Sequence, residues 1–106
     1  MAKKWTGKEK HSISLKQAAV ITARYRKKIK AGEIKGLYYG RAALEKLLKQ
    51  KGCVGLRAYF GQKDNGGTTL VMVGVNTGGQ DLTDGVILEF GHPCPPYCNG
   101  PNLLNS

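Results

Sequence analysis

Val54-Gly55-Leu56-Arg57-Ala58-Tyr59-Phe60, the turn Asp64-Asn65-Gly66-Gly67 and the run Thr69-Leu70-Val71-Met72-Val73-Gly74-Val75 together decide the fold. In the first, Val54, Leu56, Ala58 and Phe60 alternate with Gly55, Arg57 and Tyr59, the two-residue period of a strand with one apolar face. In the second, Asp and Asn lead into paired glycines, the residue types that accept the positive backbone angles of a hairpin turn. The third is β-branched and apolar on both faces, as suits a central strand. A further turn, Asn76-Thr77-Gly78-Gly79, leads to Val86, Leu88 and Phe90 alternating with Ile87 and Glu89, which reads as a third strand.

Upstream of this meander the period changes from two to that of a helix. Ser14 with Gln17 three residues on makes a capping box, and Ile13 stands where a hydrophobic staple begins. Ala18, Ile21, Tyr25 and Ile29 recur at helical spacing as an apolar face, opposite Lys16, Arg24, Lys27 and Lys28, and Gly32 is a natural stop. A second helix is expected from Arg41 to Lys51, with Leu44, Leu47 and Leu48 as its buried stripe and Gly52 at its end. Gly36-Leu37-Tyr38-Tyr39-Gly40 reads as a short apolar connection. The expected fold class is α+β: two N-terminal helices packed on a three-stranded antiparallel β-meander, with a Pro-rich C-terminal tail. Residues 1–12 read as a flexible basic arm, in which Trp5 interrupts Lys3, Lys4, Lys8 and Lys10, and 13–106 as a single α+β domain.

The 106 residues are 41% hydrophobic and 23% charged, the composition of one folded domain able to form a core without a metal or disulfide. Met1 to Ser12 has no apolar core of a signal peptide, and the longest apolar run, Leu70 to Val75, is far too short to cross a bilayer. The expectation is a cytoplasmic protein with no membrane partner and with reduced thiols, and an odd count of three cysteines argues against a closed disulfide framework.

Charge divides the chain. Residues 1–57 carry sixteen Lys or Arg against Glu9, Glu33 and Glu45, whereas residues 58–106 carry Lys63 against Asp64, Asp81, Asp84 and Glu89. A basic half joined to a mildly acidic half suits binding of polyanions, acidic partners or copies of itself. Arg24, Arg26, Lys27, Lys28 and Lys30 fall within seven residues. They form either a solvated helix face or a surface for the phosphates of DNA or RNA, with Tyr25, Tyr38 and Tyr39 as candidate stacking residues. No sequence-reading motif accompanies them, so such binding would be non-specific. Trp5, Tyr38 and Tyr39 are candidates for apolar assembly contacts.

The tail His92-Pro93-Cys94-Pro95-Pro96-Tyr97-Cys98 is stiffened by its prolines and admits three readings. Cys53, His92, Cys94 and Cys98 could make a Cys3His set for Zn, although only one closely spaced pair is present. Cys94 and Cys98 could cycle through a disulfide, although the C-x-x-C spacing is absent. Or the prolines clamp the tail while the cysteines pack as small hydrophobes, with no cofactor.

Catalysis is the weaker class. His11 and His92 are the only histidines, which leaves few groups for acid–base chemistry. Gly7-Lys8 lacks the spacing of a phosphate loop, and Asn76 to Gly85 lacks the ligand pattern of a calcium loop. That segment reads as a turn whose backbone is capped by Asp81 and Asp84.

From Tyr39 to Cys98 the chain resembles a family of small uncharacterised bacterial proteins of the Bacteroidetes type. The residues that carry the resemblance are Gly52-Cys53-Val54-Gly55-Leu56-Arg57-Ala58-Tyr59-Phe60-Gly61, then Thr69 to Val75, then Phe90-Gly91-His92-Pro93-Cys94-Pro95-Pro96-Tyr97-Cys98. The resemblance implies a small cytoplasmic module with the Cys-Pro tail in its pattern, and no activity. The basic arm and first helix lie outside it. The functional expectation is a small non-catalytic module acting through protein–protein contacts or self-assembly. Non-specific nucleic-acid binding and a metal or thiol-redox role for the tail stand as alternatives.

Overall fold

The Asp64–Gly67 turn closes a hairpin, as its residue types require. Lys63 N–H donates to the Gly67 carbonyl at 2.8 Å, Gly66 N–H to the Lys63 carbonyl at 2.9 Å, and Gly67 N–H to Asn65 Oδ1 at 2.8 Å. Around it a computed structural model describes residues 5–106, so Lys3 and Lys4 of the arm lie outside the described residues. The elements in order are α1 (Leu15–Lys28), β1 (Gly36–Tyr38), α2 (Arg41–Leu48), β2 (Gly55–Gln62), β3 (Thr68–Val75), β4 (Ile87–Leu88) and β5 (His92–Cys94).

The chain is α+β, with two helices and an antiparallel sheet of order β2-β3-β4. The third strand is shorter than its alternation suggests, because only Ile87 and Leu88 pair, with Val73 and Met72. A second, two-stranded sheet was not expected. It pairs Gly36–Tyr38, read above as a connection, with His92–Cys94 of the tail, Leu37 lying opposite Pro93. Where one domain was expected over 13–106, the chain divides into two compact units, each described on its own.

The first unit is the described part of residues 1–9 with Tyr39–Gly91. Here α2 packs on β2, β3 and β4 and buries Leu47 completely, while Val73 and Val75 of β3 are the other buried hydrophobic residues. Leu48, expected in the same stripe, stays 44% exposed because the helix ends at that residue, with Lys49 as its C-cap. Gly74 shows how closely this packing is set. A Cβ there would stand 2.9 Å from Gln50 Nε2 and 3.0 Å from Cys53 Sγ, so a larger residue would have to displace these side chains. Gln50 also accepts from Val86 N–H at 2.7 Å through Oε1, tying the turn after α2 to the approach of β4.

The second unit is Lys10–Tyr38 with His92–Ser106. Its helix starts as read. Gln17 N–H donates to Ser14 Oγ and Ser14 N–H to Gln17 Oε1, both at 3.0 Å, a closed capping box. The expected packing face is corrected. Ile21 and Tyr25 are 56% and 46% exposed, no residue of α1 is fully buried, and Ala18, Ala19, Thr22, Ala23 and Arg26 are its half-buried positions. The physical reason lies in Arg26, which donates through Nε to the Ser106 carbonyl at 2.9 Å and through Nη1 to the Leu104 carbonyl at 2.5 Å. This turns the small-residue side of the helix toward the chain's last turn. The packing of both helices on the meander therefore holds for α2, whereas α1 belongs to the second unit.

Candidate functional site

Three surfaces hold the residues able to bind something. The first is the long outer edge of the meander. β2 pairs with β3 along all eight of its residues and, among the described residues, has no strand on its other side. Leu56, Ala58, Phe60 and Gln62 alternate along it with Arg57, Tyr59 and Gly61, so the two sets project to opposite faces. Phe60 is 87% exposed and lies opposite Leu70 of β3. Phe90, beyond β4, is 80% exposed, with Lys63 Nζ 5.6 Å from the centre of its ring. Phe90 is also the one non-glycine residue with positive φ among the described residues, at 63°. A bulky side chain held in that region and left in water marks a place the chain keeps against local preference.

On the other face of the same strand an ionic group fixes the surface. Asp81 accepts from the Arg57 guanidinium and from the Tyr59 hydroxyl, and Arg57 also donates to the Gly79 carbonyl at 3.2 Å. The Tyr59 hydroxyl, and then Arg57, hold the Asp81 carboxyl below the usual carboxylate range. The bond to Asp81 likewise raises Arg57 and Tyr59 above their ordinary values. Trp5 covers the group: its main-chain N–H donates to the Thr77 carbonyl at 3.0 Å, and the Arg57 guanidinium carbon lies 5.8 Å from its ring centre. Gly79, at φ +79°, leaves no room for a Cβ beneath the indole. The capping assigned above to Asp81 is corrected. Asn76 Oδ1 holds the turn by accepting from Gly78 and Gln80 N–H, both at 3.0 Å, because Asp81 has a cation within reach across the sheet.

The second surface is α1. Arg24, Lys27, Lys28 and Lys30 are exposed, and among the described residues the ion pairs, Lys49–Glu45 and Arg57–Asp81, involve none of them. Along the same helix an apolar groove of about 680 Å³ runs past Leu15, Ala19, Val20, Ala23 and Leu103.

The third surface surrounds the tail. Cys94 and Cys98, expected as reduced thiols, form a disulfide with Cα atoms 4.8 Å apart. With both sulfurs bonded to each other, no thiolate remains at either position to ligate a metal. Cys53, the free cysteine, is half-buried in the first unit and donates to the Gly55 carbonyl at 3.1 Å. Among the described residues no group of three or more His, Cys, Asp or Glu could hold a metal ion. His92 stands between two rings, Tyr38 at 5.7 Å and Tyr97 at 5.8 Å between centroids. They line a cavity of about 380 Å³ with the disulfide, Asn102 and Asn105.

The residues singled out from sequence separate accordingly. Arg24, Lys27 and Lys28 stand exposed on α1 and Lys30 is exposed just beyond its end, whereas Arg26 is engaged by carbonyl oxygens of the chain's last turn. Of the assembly candidates Trp5, Tyr38 and Tyr39, Trp5 lies over Arg57 and Gly79. Tyr39 donates to the Leu70 carbonyl and packs on Gly91, and Tyr38 remains 63% exposed. The exposed aromatic residues of the first unit, Tyr59, Phe60 and Phe90, went unmarked in the sequence. The signal that could have found them is the absence of any proline or uncompensated charge on a strand eight residues long. No family model, curated protein or solved structure matches the chain. No helix among the described residues is long and apolar enough to cross a membrane.

Proposed function

We propose that this protein acts without catalysis, as a small module that associates with copies of itself through apolar contacts. The observation that supports this reading is the imbalance between covered and bare apolar side chains. Among the described residues Leu47, Val73 and Val75 are the buried hydrophobic ones, while Tyr59, Phe60, Ile87 and Phe90 of the same unit stand exposed. Single exposed apolar residues are ordinary, but several large ones on one small sheet mark an interaction surface. The arrangement of the rest also argues for binding over chemistry. The titratable groups with shifted ionisation are held by partners in the fold: Asp81 by Tyr59 and Arg57, Glu89 by the Thr69 hydroxyl, Glu9 by Thr6. Light scattering on nucleic-acid-free protein tests the reading. A mass rising above the 11.5 kDa chain with concentration is expected, and a monomer at every concentration overturns it.

A second reading, non-specific binding of DNA or RNA, is favoured by Arg24, Lys27 and Lys28 of α1 and Lys30 just beyond it, exposed cations that take part in no ion pair among the described residues. Each phosphate they neutralise would add salt-dependent affinity. Arg24→Ala, Lys27→Ala and Lys28→Ala together should flatten the salt dependence of binding, and an unchanged slope would remove α1 from the interface.

A further inference from the structure

The self-association reading above can be carried to a particular contact. We propose that two copies join through β2, laid antiparallel across a two-fold axis, so that two three-stranded sheets become one of six.

Three features of β2 point there. First, no strand lies on its outer side among the described residues, and the arm reaches only its start, where a Cβ on Gly7 would stand 2.7 Å from the Val54 carbonyl oxygen. Its main chain is paired with β3 on one side, and between Leu56 and Gln62 no hydrogen bond outside that ladder is made by the main chain among the described residues. The N–H and C=O groups of the outer side are a template for another strand. Second, it lacks what protects the other edges of the molecule. β4 is two residues long, β1 and β5 are three, and β5 contains Pro93. By contrast β2 has eight residues, no proline and a single charge, Arg57, which Asp81 already neutralises. Third, β2 fits a copy of itself. Residues directly opposite in an antiparallel pair share a face. A two-fold at Tyr59 sets Phe60 against Ala58 and Arg57 against Gly61, and a two-fold at Ala58 sets Phe60 against Leu56 and Arg57 against Tyr59. In both registers Phe60 meets a smaller or an apolar side chain, and no charge opposes a like charge.

The size of the contact sets its strength. Two copies bring two Phe60 and two Tyr59 rings, 87% and 48% exposed, together on the order of 500 Å² of aromatic surface. Specific interfaces bury about 1,200 Å² or more, so the pairing belongs to the small, reversible class and depends on concentration.

The test uses the full chain. Phe60→Lys changes a side chain that stands in solvent, so the fold survives, while the interface gains a charge set against Ala58 or Leu56 of the other copy. It should weaken association at least about tenfold by light scattering, with the circular dichroism spectrum unchanged. Ala58→Cys in a Cys53→Ser background should be joined into dimers by a short thiol–thiol crosslinker, and Ile87→Cys, on the opposite edge of the sheet, should not. If the wild-type protein is a monomer at every concentration, self-association fails and the β2 contact with it. If the wild-type associates, Phe60→Lys associates equally well, and position 58 does not crosslink, the β2 contact is overturned while self-association stands.

Discussion

The two units of this chain are held together by different means. The unit built on β2, β3 and β4 has a buried centre, with Leu47 of α2 fully enclosed and Val73 and Val75 beneath it. The unit built on α1, β1 and β5 has no fully buried residue, and is secured by the Cys94–Cys98 bond and by cations bound to carbonyl oxygens. In the latter, Arg26 and Lys35 hold the carbonyls of Leu104, Asn105 and Ser106, the Lys35 bond measuring 2.7 Å. A three-stranded sheet with one helix can exclude water from a few side chains, whereas a two-stranded ribbon beside a single helix cannot. Staples then take the place of a core.

The comparison can be broken most strongly at Leu47. Leu47→Ala removes the one fully enclosed large side chain and should destabilise the meander unit by about 2–5 kcal/mol, read by urea denaturation. A change below about 1 kcal/mol would mean that the unit has no packed centre. The corresponding change in the other unit is Cys94→Ser. Opening so short a loop should cost about 2 kcal/mol on the chain-entropy account, seen as faster amide exchange at His92 and Tyr38. Amides of β3 should keep their protection. Unchanged exchange at His92 and Tyr38 in Cys94→Ser would show that the disulfide does not support the ribbon.

The smallest effect expected is a dependence on pH. Asp81 has its ionisation lowered by Tyr59 and Arg57, so its contribution is present above the unfolded carboxylate range and is lost as pH falls through the folded value. Tyr59 is raised by Asp81, so its contribution is present below the ordinary tyrosine range and is lost as pH rises through the folded value. Asp81→Asn should therefore flatten both the acid and the alkaline limbs of the stability profile of the meander unit. A profile identical to that of the wild-type would show that the group adds nothing to folding.

What could be read in advance was local. The capping box at Ser14, the turn at Asp64–Gly67 and the apolar run of β3 each rest on bonds or preferences within a few residues, and each stands where the residue types put it. The basic face of α1 was legible for the same reason, because helical spacing alone gathers Arg24, Lys27 and Lys28. Read from spacing, Tyr25 belonged to the apolar face and Arg26 to the basic cluster, but in the structure Tyr25 is exposed and Arg26 half-buried. Periodicity gives a helix its faces but not the neighbour that each face meets.

The sequence by itself determined the two helices, the antiparallel hairpin and the uneven distribution of charge, since these follow from side-chain shape and from contacts between near neighbours. Only the tertiary structure decided that Gly36–Tyr38 pairs with His92–Cys94, that Asp81 meets Arg57 and Tyr59, and that β2 has no strand on its outer side among the described residues. Each of these depends on partners far apart in the chain, and closing such loops is driven by the packing of the whole unit and not by any residue's own preference.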